Sequence, residues 1–565
     1  MARDIAVIDA ETDPFRKGRI PQPFIWGYYD GYQYKTFANA VSLAKWLRTQ
    51  HRIVYAHNGG KFDFHYLLGE LDPYSDLTII NGRIAKCFIG NAELRDSFCI
   101  IPQGLGKYKK DEIDYGLMEP AVRDKPANRE KILDYLRSDC VYLYEMVSAF
   151  VDRFGPQLTL AGAAMKQWQR ISDECGIEQC ERTDEDFYNE LSPYYYGGRV
   201  ECFKSGIIDC KFDVYDINSA YPFAMLHKHP YSAQYERITG YVRGADFYRV
   251  VCVASGSLPY RGIGGSGNSS FGLSFPNDDT AREYCVTGWE YEAAKATKTI
   301  RAAKVIESLR FARHVDFSPY INHWWREREQ AKKDKDELGS LFAKLMMNSL
   351  YGKFAANPDN YANYMNVPMD RLDLLTTGGK WKFGGELGPW ALGECGLEDQ
   401  AKRYYNVATG ASITGFVRAM LWRAIHSSKG VLYCDTDSIA VERAGSDVCL
   451  SNQLGDWKHE GRFDKAGIAG KKLYIFRGAA RWWEIDGKAA FALDRPKGAK
   501  RLYKKAHKGV KLTNEQLWRV AAGGTVHYES EAPTFSVKTT GDLGNRKPGE
   551  VDHKMFINRE IRRTA

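Results

Sequence analysis

Tyr433-Cys434-Asp435-Thr436-Asp437-Ser438 lies between the apolar runs Val431-Leu432 and Ile439-Ala440-Val441. Strand-like residues on both sides of a short acidic tip predict a hairpin. On an extended chain, residues two apart point to the same side, so Asp435 and Asp437 are expected together where the two strands meet. Such a pair can hold a divalent metal. A solvated turn accounts for the same hexapeptide, because Asp, Thr and Ser are ordinary turn residues. The rest of the chain decides between these readings.

At 565 residues the chain is longer than one hydrophobic core usually serves, which predicts several domains. Lys and Arg total 79 against 71 Asp and Glu, a formal excess of +8 that favours polyanionic partners without naming one. The 35 tyrosines fit base stacking or a Tyr-rich core equally well. The 12 cysteines include no CxxC pair, which argues against structural zinc and for reduced thiols. No apolar run approaches transmembrane length and no signal peptide is visible, so a soluble protein of the cytoplasm, without a membrane partner, is expected.

Further carboxylates close other elements. Ile5-Ala6-Val7-Ile8 reads as a buried strand and is followed by Asp9-Ala10-Glu11, whose two acids share a face. Ile53-Val54-Tyr55-Ala56 leads into His57-Asn58-Gly59-Gly60-Lys61-Phe62-Asp63, with a helix expected from Phe64 to Leu71. Between Ile132 and Val141, apolar residues recur at three and four, which puts Tyr135 and Asp139 one helical turn apart. Each motif alone fits a polar strand end or helix face. Together they suit two-metal phosphodiester hydrolysis, where acidic ligands hold two cations about 4 Å apart. Hard oxygen ligands select magnesium or manganese. Tyr135 is placed to orient the attacking water, and Asn58 and Phe62 to hold a frayed single strand.

The order DAE, HNGGKFD, YLRSD resembles the three exonuclease motifs of the B-family DNA polymerases, and later stretches extend the likeness. Tyr195, Gly197 and Gly198 match a YxGG element, although a tight turn needs glycine for the same steric reason as close approach to a phosphate. Val214 to Pro222 resembles motif A, DxxSLYP, with Ala220 in the usual Leu position. KLMMNSLYG at 344–352 matches motif B, and Lys472 with Tyr474 forms KxY. Lys344, Asn348 and Tyr351 fall at i, i+4 and i+7, one helical stripe, preceded by Gly339-Ser340 as a helix stop and N-cap. The YxGG form and two insertions resemble the protein-primed branch.

This resemblance implies an α/β and α+β multidomain fold, a ribonuclease H-like exonuclease domain joined to a right-hand polymerase of palm, fingers and thumb with two insertions. The expected divisions are exonuclease 1–160, first part of the palm 161–230, first terminal-protein-type insertion 231–320 with its Gly262 to Ser270 loop, fingers 321–356, second insertion 357–404, second part of the palm 405–503 and thumb 504–565. The second insertion, with Gly378-Gly379 and Gly384-Gly385 around Lys380 to Lys382, reads as a long β-hairpin or extended arm.

The implied roles follow residue by residue. Asp9, Glu11, Asp63 and Asp139 fall on the exonuclease metal ligands and Tyr135 on the water-positioning tyrosine. Ser97 and Phe98 stand at the Ser/Thr-Leu single-strand element, with Phe98 replacing Leu; no exonuclease lysine is assigned within Asp111 to Glu119. Asp216 and Asp437 bind the polymerase metals, with Asp435 supporting. Tyr221 excludes a ribose 2′-hydroxyl. Lys344 neutralises the triphosphate, helped by Lys332 or its neighbour Lys333, while Asn348 and Tyr351 border the sugar and base. Tyr195, Gly197 and Gly198 bind template; Lys472 and Tyr474 contact the primer. The implied protein is a monomeric DNA-directed DNA polymerase with a 3′–5′ proofreading exonuclease. It is protein-primed, processive and strand-displacing, and copies a linear viral or plasmid genome with magnesium or manganese. Its partners are primer-template DNA, dNTPs and a separate terminal protein. A B-family polymerase using nucleic-acid primers or none, a stand-alone exonuclease and a non-catalytic DNA-binding protein are the alternatives.

Overall fold

A computed structural model describes residues 4–181, 183–262, 272–377, 379–398, 404–539 and 554–564. Beyond Gly262, the Gly/Ser-rich loop falls outside the described residues, as does Gly378.

Strand Ile5–Thr12 pairs antiparallel with Pro23–Tyr29 and parallel with Ile53–Ala56, which runs parallel to Ala92–Asp96. Its continuous apolar start reflects burial on both faces: Ile5 and Val7 join the core under helix Pro126–Phe154, while Ala6 and Ile8 join a second core on the other side. This is the ribonuclease H-like half. The helix expected from Phe64 to Leu71 is instead two 3-10 turns, Asp63–Tyr66 and Leu68–Glu70. Gly69, a poor helix former, interrupts the run.

The palm is an antiparallel sheet in the order Tyr503–His507, Leu473–Gly478, Trp457–Gly470, Phe212–Ile217, Ser438–Arg443, Lys429–Asp435, Val200–Cys202. It runs on to His507, so the boundary expected at 503/504 falls inside a strand. Helix Val407–Ser427, buried along most of its length, lies against Gly288–Ala296 of the segment assigned to the first insertion. That segment forms a four-stranded sheet of Tyr235–Thr239, Ile300–Phe311, Phe247–Ala254 and Arg282–Thr287.

The fingers are helices Ser318–Lys333 and Glu337–Ser349. Asp336 is the N-cap of the second, its carboxylate accepting from the Gly339 amide, so Gly339-Ser340 lie inside the first turn and do not mark the break expected there. Phe150 and Phe154 of the exonuclease helix pack on Phe342 and Trp324 of the fingers. A shared core, with no mobile linker needed, fixes the two halves relative to each other.

The second insertion is not a free arm. Its strand Ala362–Pro368 pairs with Asp76–Ile80, and its hairpin Lys382–Leu387 and Trp390–Gly396 turns at Gly388, where φ is +61°. Lys538–Thr539 from the C-terminal region pairs with Lys382–Leu387 in turn, giving one sheet of 11 strands from exonuclease to C-terminal region. Among the described residues, no helix is long and apolar enough to cross a membrane.

Two candidate active sites

In the exonuclease half, strand Ile5–Thr12 and helix Pro126–Phe154 bring carboxylate oxygens of Asp9, Glu11 and Asp139 within 4.8 Å of one another. Asp63, outside this triad, is the largest electrostatic influence on Asp9 after burial. Burial raises all four, Glu11 to about 8, Asp63 to about 7, and Asp9 and Asp139 above the ordinary carboxylate range; repulsion within the site adds to Asp9 and Glu11, while Asp96 adds to Asp63 and Asp111 to Asp139. Asp63 Oδ1 and Asp139 Oδ1 are buried without a hydrogen-bond partner among the described residues. Crowded, partly unsatisfied hard oxygens are what a magnesium or manganese pair requires. Tyr135 is buried beside them, its hydroxyl 3.2 Å from that of Tyr115.

Asn58 sits at φ 62° and accepts from Arg83 at 2.8 Å. Phe62 meets Phe15, Tyr66 and Phe535 edge-on at centroid distances of 5.8, 5.4 and 5.3 Å. The Phe98 ring lies 4.7 Å from the Arg83 guanidinium. Ser97 does not reach the surface: its hydroxyl is 2.9 Å from His57 Nδ1. Direct contact of this side chain with DNA, expected from its motif, is therefore replaced by a role in holding His57.

In the palm, Asp216 lies in register with Ser438, and burial followed by repulsion from Asp437 raises it to about 7. Asp437 is raised to about 6, first by burial and then by Asp435. The two acids of the hairpin do not share a face as on an extended chain. Thr436 is left-handed, φ 62°, an uncommon conformation for a β-branched residue. The tight turn sends Asp435 to Lys472 Nζ at 2.8 Å and leaves Asp437 to Asp216. Tyr474 is buried, stacked on Phe476 with centroids 4.5 Å apart.

A cleft of about 760 Å³ is lined by Asp216, Asp437, Lys344, Lys332 and Asn348. The cleft favours Lys332 over Lys333, which does not line it; Lys332 is tied to Glu329 at 2.6 Å. Asn348 donates to the Lys344 carbonyl at 2.8 Å. Tyr351 begins the short helix Tyr351–Phe354 and stacks on Tyr221.

The glycines of YxGG have different reasons. A Cβ on Gly198 would lie 2.7 Å from the Thr436 side chain, whereas one on Gly197 would meet nothing within 4 Å. Gly198 therefore serves packing against the 433–438 hairpin, whereas nothing crowds Gly197. Arg418 of helix Val407–Ser427 donates to the carbonyls of Tyr196 and Gly197, and pairs with Glu290 at 2.7 Å. The Arg199 carbonyl accepts from the Thr436 amide at 2.7 Å. The loop thus bears directly on the catalytic turn.

Several residues escaped sequence reasoning. Lys110, one position before the stretch searched for an exonuclease lysine, has its ammonium 5.7 Å from the Tyr135 ring centre. Burial would lower it, but Tyr115, Asp139 and Asp9 hold it above the usual lysine range. Arg328 lines the palm cleft; burial draws it below the usual arginine range, and its Nε has no partner among the described residues. Glu460, bonded to Lys504, contributes to raising Asp216 and Asp437. The signal for Lys110 was adjacency to the motif; that for Glu460 was only strand pairing, which a linear reading does not supply.

The family described as DNA polymerase type B, organellar and viral, matches residues 107–380. The DNA-directed DNA polymerase of Enterobacteria phage PRD1 is 34% identical over 557 residues, spanning 94% of this chain and 95% of that protein. The DNA polymerase of Bacillus phage phi29 is 31% identical over 178 residues, 30% of this chain and 27% of its own. The structure of Phi29 DNA polymerase complexed with primer-template DNA and incoming nucleotide substrates aligns over 100% of both chains at 19% identity with a TM-score of 0.70, a likeness of fold. With the PRD1 enzyme related along nearly the whole length and the polymerase motifs assembled around one cleft, the chain belongs to the type B DNA polymerases of organelles and viruses, in their protein-primed phage branch, and is a DNA-directed DNA polymerase.

Proposed function

We propose that this polymerase also removes nucleotides from the 3′ end of single-stranded DNA, and that it starts synthesis on a hydroxyl of a separate terminal protein in the host cytoplasm. The observation that carries the first reading is a second carboxylate site, Asp9, Glu11, Asp63 and Asp139, built into the same chain and joined to the polymerase half through one core. The carboxylates of each site would hold divalent cations, magnesium or manganese, which would supply neutralisation of developing charge and acidification of the attacking hydroxyl or water.

The chain's own residues do the rest. Lys344, with Lys332 and Arg328, holds the triphosphate. Asp435 fixes Lys472 toward the primer, and the Tyr221–Tyr351 pair forms a floor that a 2′-hydroxyl strikes. Tyr135 and Lys110 orient water in the exonuclease site, while Asn58 and Phe62 border the frayed strand. The hairpin of the second insertion, anchored at both edges, is suited to parting the non-template strand.

Degradation of a labelled single strand by the wild type and its loss in Asp9→Ala/Glu11→Ala, with primer extension retained, tests the exonuclease reading; retained degradation contradicts it. Initiation with and without a candidate terminal protein, read as a covalent protein–dNMP product, tests priming. Absence of that product with the terminal protein present would favour the alternative of nucleic-acid primers.

A further inference from the structure

A second cleft, of about 630 Å³, opens between the tip of the fingers and the exonuclease segment Leu105–Lys107. It shares Arg328, Lys332 and Lys344 with the catalytic cleft, so these three side chains form a common wall. Beyond that wall it adds two cations, Lys107 from the exonuclease half and Lys335 from the link between the finger helices. Neither has an ion-pair partner among the described residues, nor does Arg328 or Lys344. Of the acids that line it, Asp336 is committed to capping its helix, and Glu337 stands in the first helical turn, where the helix dipole favours a carboxylate. Five cations, Lys107, Arg328, Lys332, Lys335 and Lys344, face two acids in this lining, and the net positive wall attracts a compact polyanion.

The chemistry of the wall says which polyanion. In the polymerase reaction the primer O3′ bonds to the α-phosphorus and gives up its proton. The bond from that phosphorus to the bridging oxygen breaks, and pyrophosphate leaves with the electron pair. A phosphate chain held on Arg328, Lys332 and Lys344 has the carboxylates Asp216 and Asp437 on one side and the second cleft on the other. The second cleft contains none of the described catalytic carboxylates, and its one ring, Tyr108, has its hydroxyl engaged by Glu145 at 3.2 Å. Its cations equip it to recognise phosphate.

We propose that this cleft between the exonuclease half and the fingers receives the pyrophosphate product, with Lys107 and Lys335 as its outer ligands. The proposal rests on the reading of Lys344 as a triphosphate ligand. The same chemistry would serve the phosphate tail of an inbound nucleotide, and the two sources are separable. By microscopic reversibility, pyrophosphate enters by its exit path during pyrophosphorolysis.

The test is Lys107→Ala/Lys335→Ala, both surface substitutions, assayed on a primer-template for pyrophosphorolysis against inorganic pyrophosphate and for forward incorporation against dNTP. The expected result is a KM for pyrophosphate raised about five- to tenfold, equivalent to about 1–1.4 kcal/mol, with the KM for dNTP unchanged. Equal rises in both constants would make the cleft the nucleotide's inbound path and overturn the product assignment; unchanged constants would overturn the site altogether. Lys344→Ala, run in parallel, separates the premises: if it moves neither constant, the triphosphate reading is what has failed.

Discussion

Tyr221 and Tyr351 stack face to face, with ring centroids 4.2 Å apart and planes 8° from parallel. One lies in the short helix Ala220–Ala224 after the Asp216 strand and the other opens the short helix Tyr351–Phe354 after the Lys344 helix, so each restrains the other within electrostatic reach of Asp437. Tyr221→Ala is expected to reduce discrimination against ribonucleotides by roughly 10- to 200-fold, the range for a steric contact of one small group. Tyr351→Ala, which frees Tyr221 without deleting it, should give a smaller loss. Competition between rNTP and dNTP at one template position measures both, and unchanged ribonucleotide rejection in Tyr221→Ala would remove it from the gate.

Lys110 places a cation over Tyr135 beside Asp139 and Glu11. Lys110→Ala should lower the single-turnover rate of single-strand degradation by about 10²-fold, the scale for one positioned catalytic group, while primer extension is unaffected. Equal losses in both activities would place the effect in folding.

The Arg418 and Glu290 side chains are each only 2% exposed; Arg418 donates to the Tyr196 and Gly197 carbonyls and Glu290 accepts from Arg418. Removing a buried partner outright costs about 3–5 kcal/mol of stability, so lysine is the informative substitution: it keeps the charge and loses the fork. Arg418→Lys is expected to weaken primer-template binding about tenfold, leaving the saturated incorporation rate and single-strand degradation near wild type. Unaltered DNA affinity in a folded Arg418→Lys protein would dissociate this contact from template grip.

In the metal-free protein Glu11 is raised to about 8 and Asp63 to about 7. Between their ordinary values and these raised ones, the folded chain keeps protons that the unfolded chain has released, so their contribution to stability falls as pH rises through that window. The metal-free melting temperature should drop by several degrees from about pH 5 to about pH 8, less steeply in Glu11→Gln, and magnesium should restore more of it at the higher pH. An equal slope in wild type and Glu11→Gln would contradict this.

Asp9, Glu11 and Asp216 were legible because they close apolar runs whose period is fixed by burial, as in Ile5–Thr12 and Phe212–Ile217, and Asp139 because helical spacing puts it one turn from Tyr135. The partition between Asp435 and Asp437 was read from resemblance; its cause, the left-handed Thr436, leaves no mark in composition or spacing. Ser97 was misplaced because a motif position does not report whether a hydroxyl faces inward to His57. Arg418 and Glu290 are 128 residues apart and meet only through helix packing. The joining of the second insertion to Asp76–Ile80 likewise depends on edge strands finding one another, which a linear reading does not specify.

The central claim is that Asp437 works with Asp216 at a polymerase site separate from Asp9, Glu11, Asp63 and Asp139. Asp437→Ala, assayed in one preparation for nucleotide incorporation and for degradation of a single strand, tests it most directly. Incorporation should fall by at least about 10³-fold, with degradation retained. Incorporation that survives the substitution, or loss of both activities in a protein that still melts normally, would contradict the account.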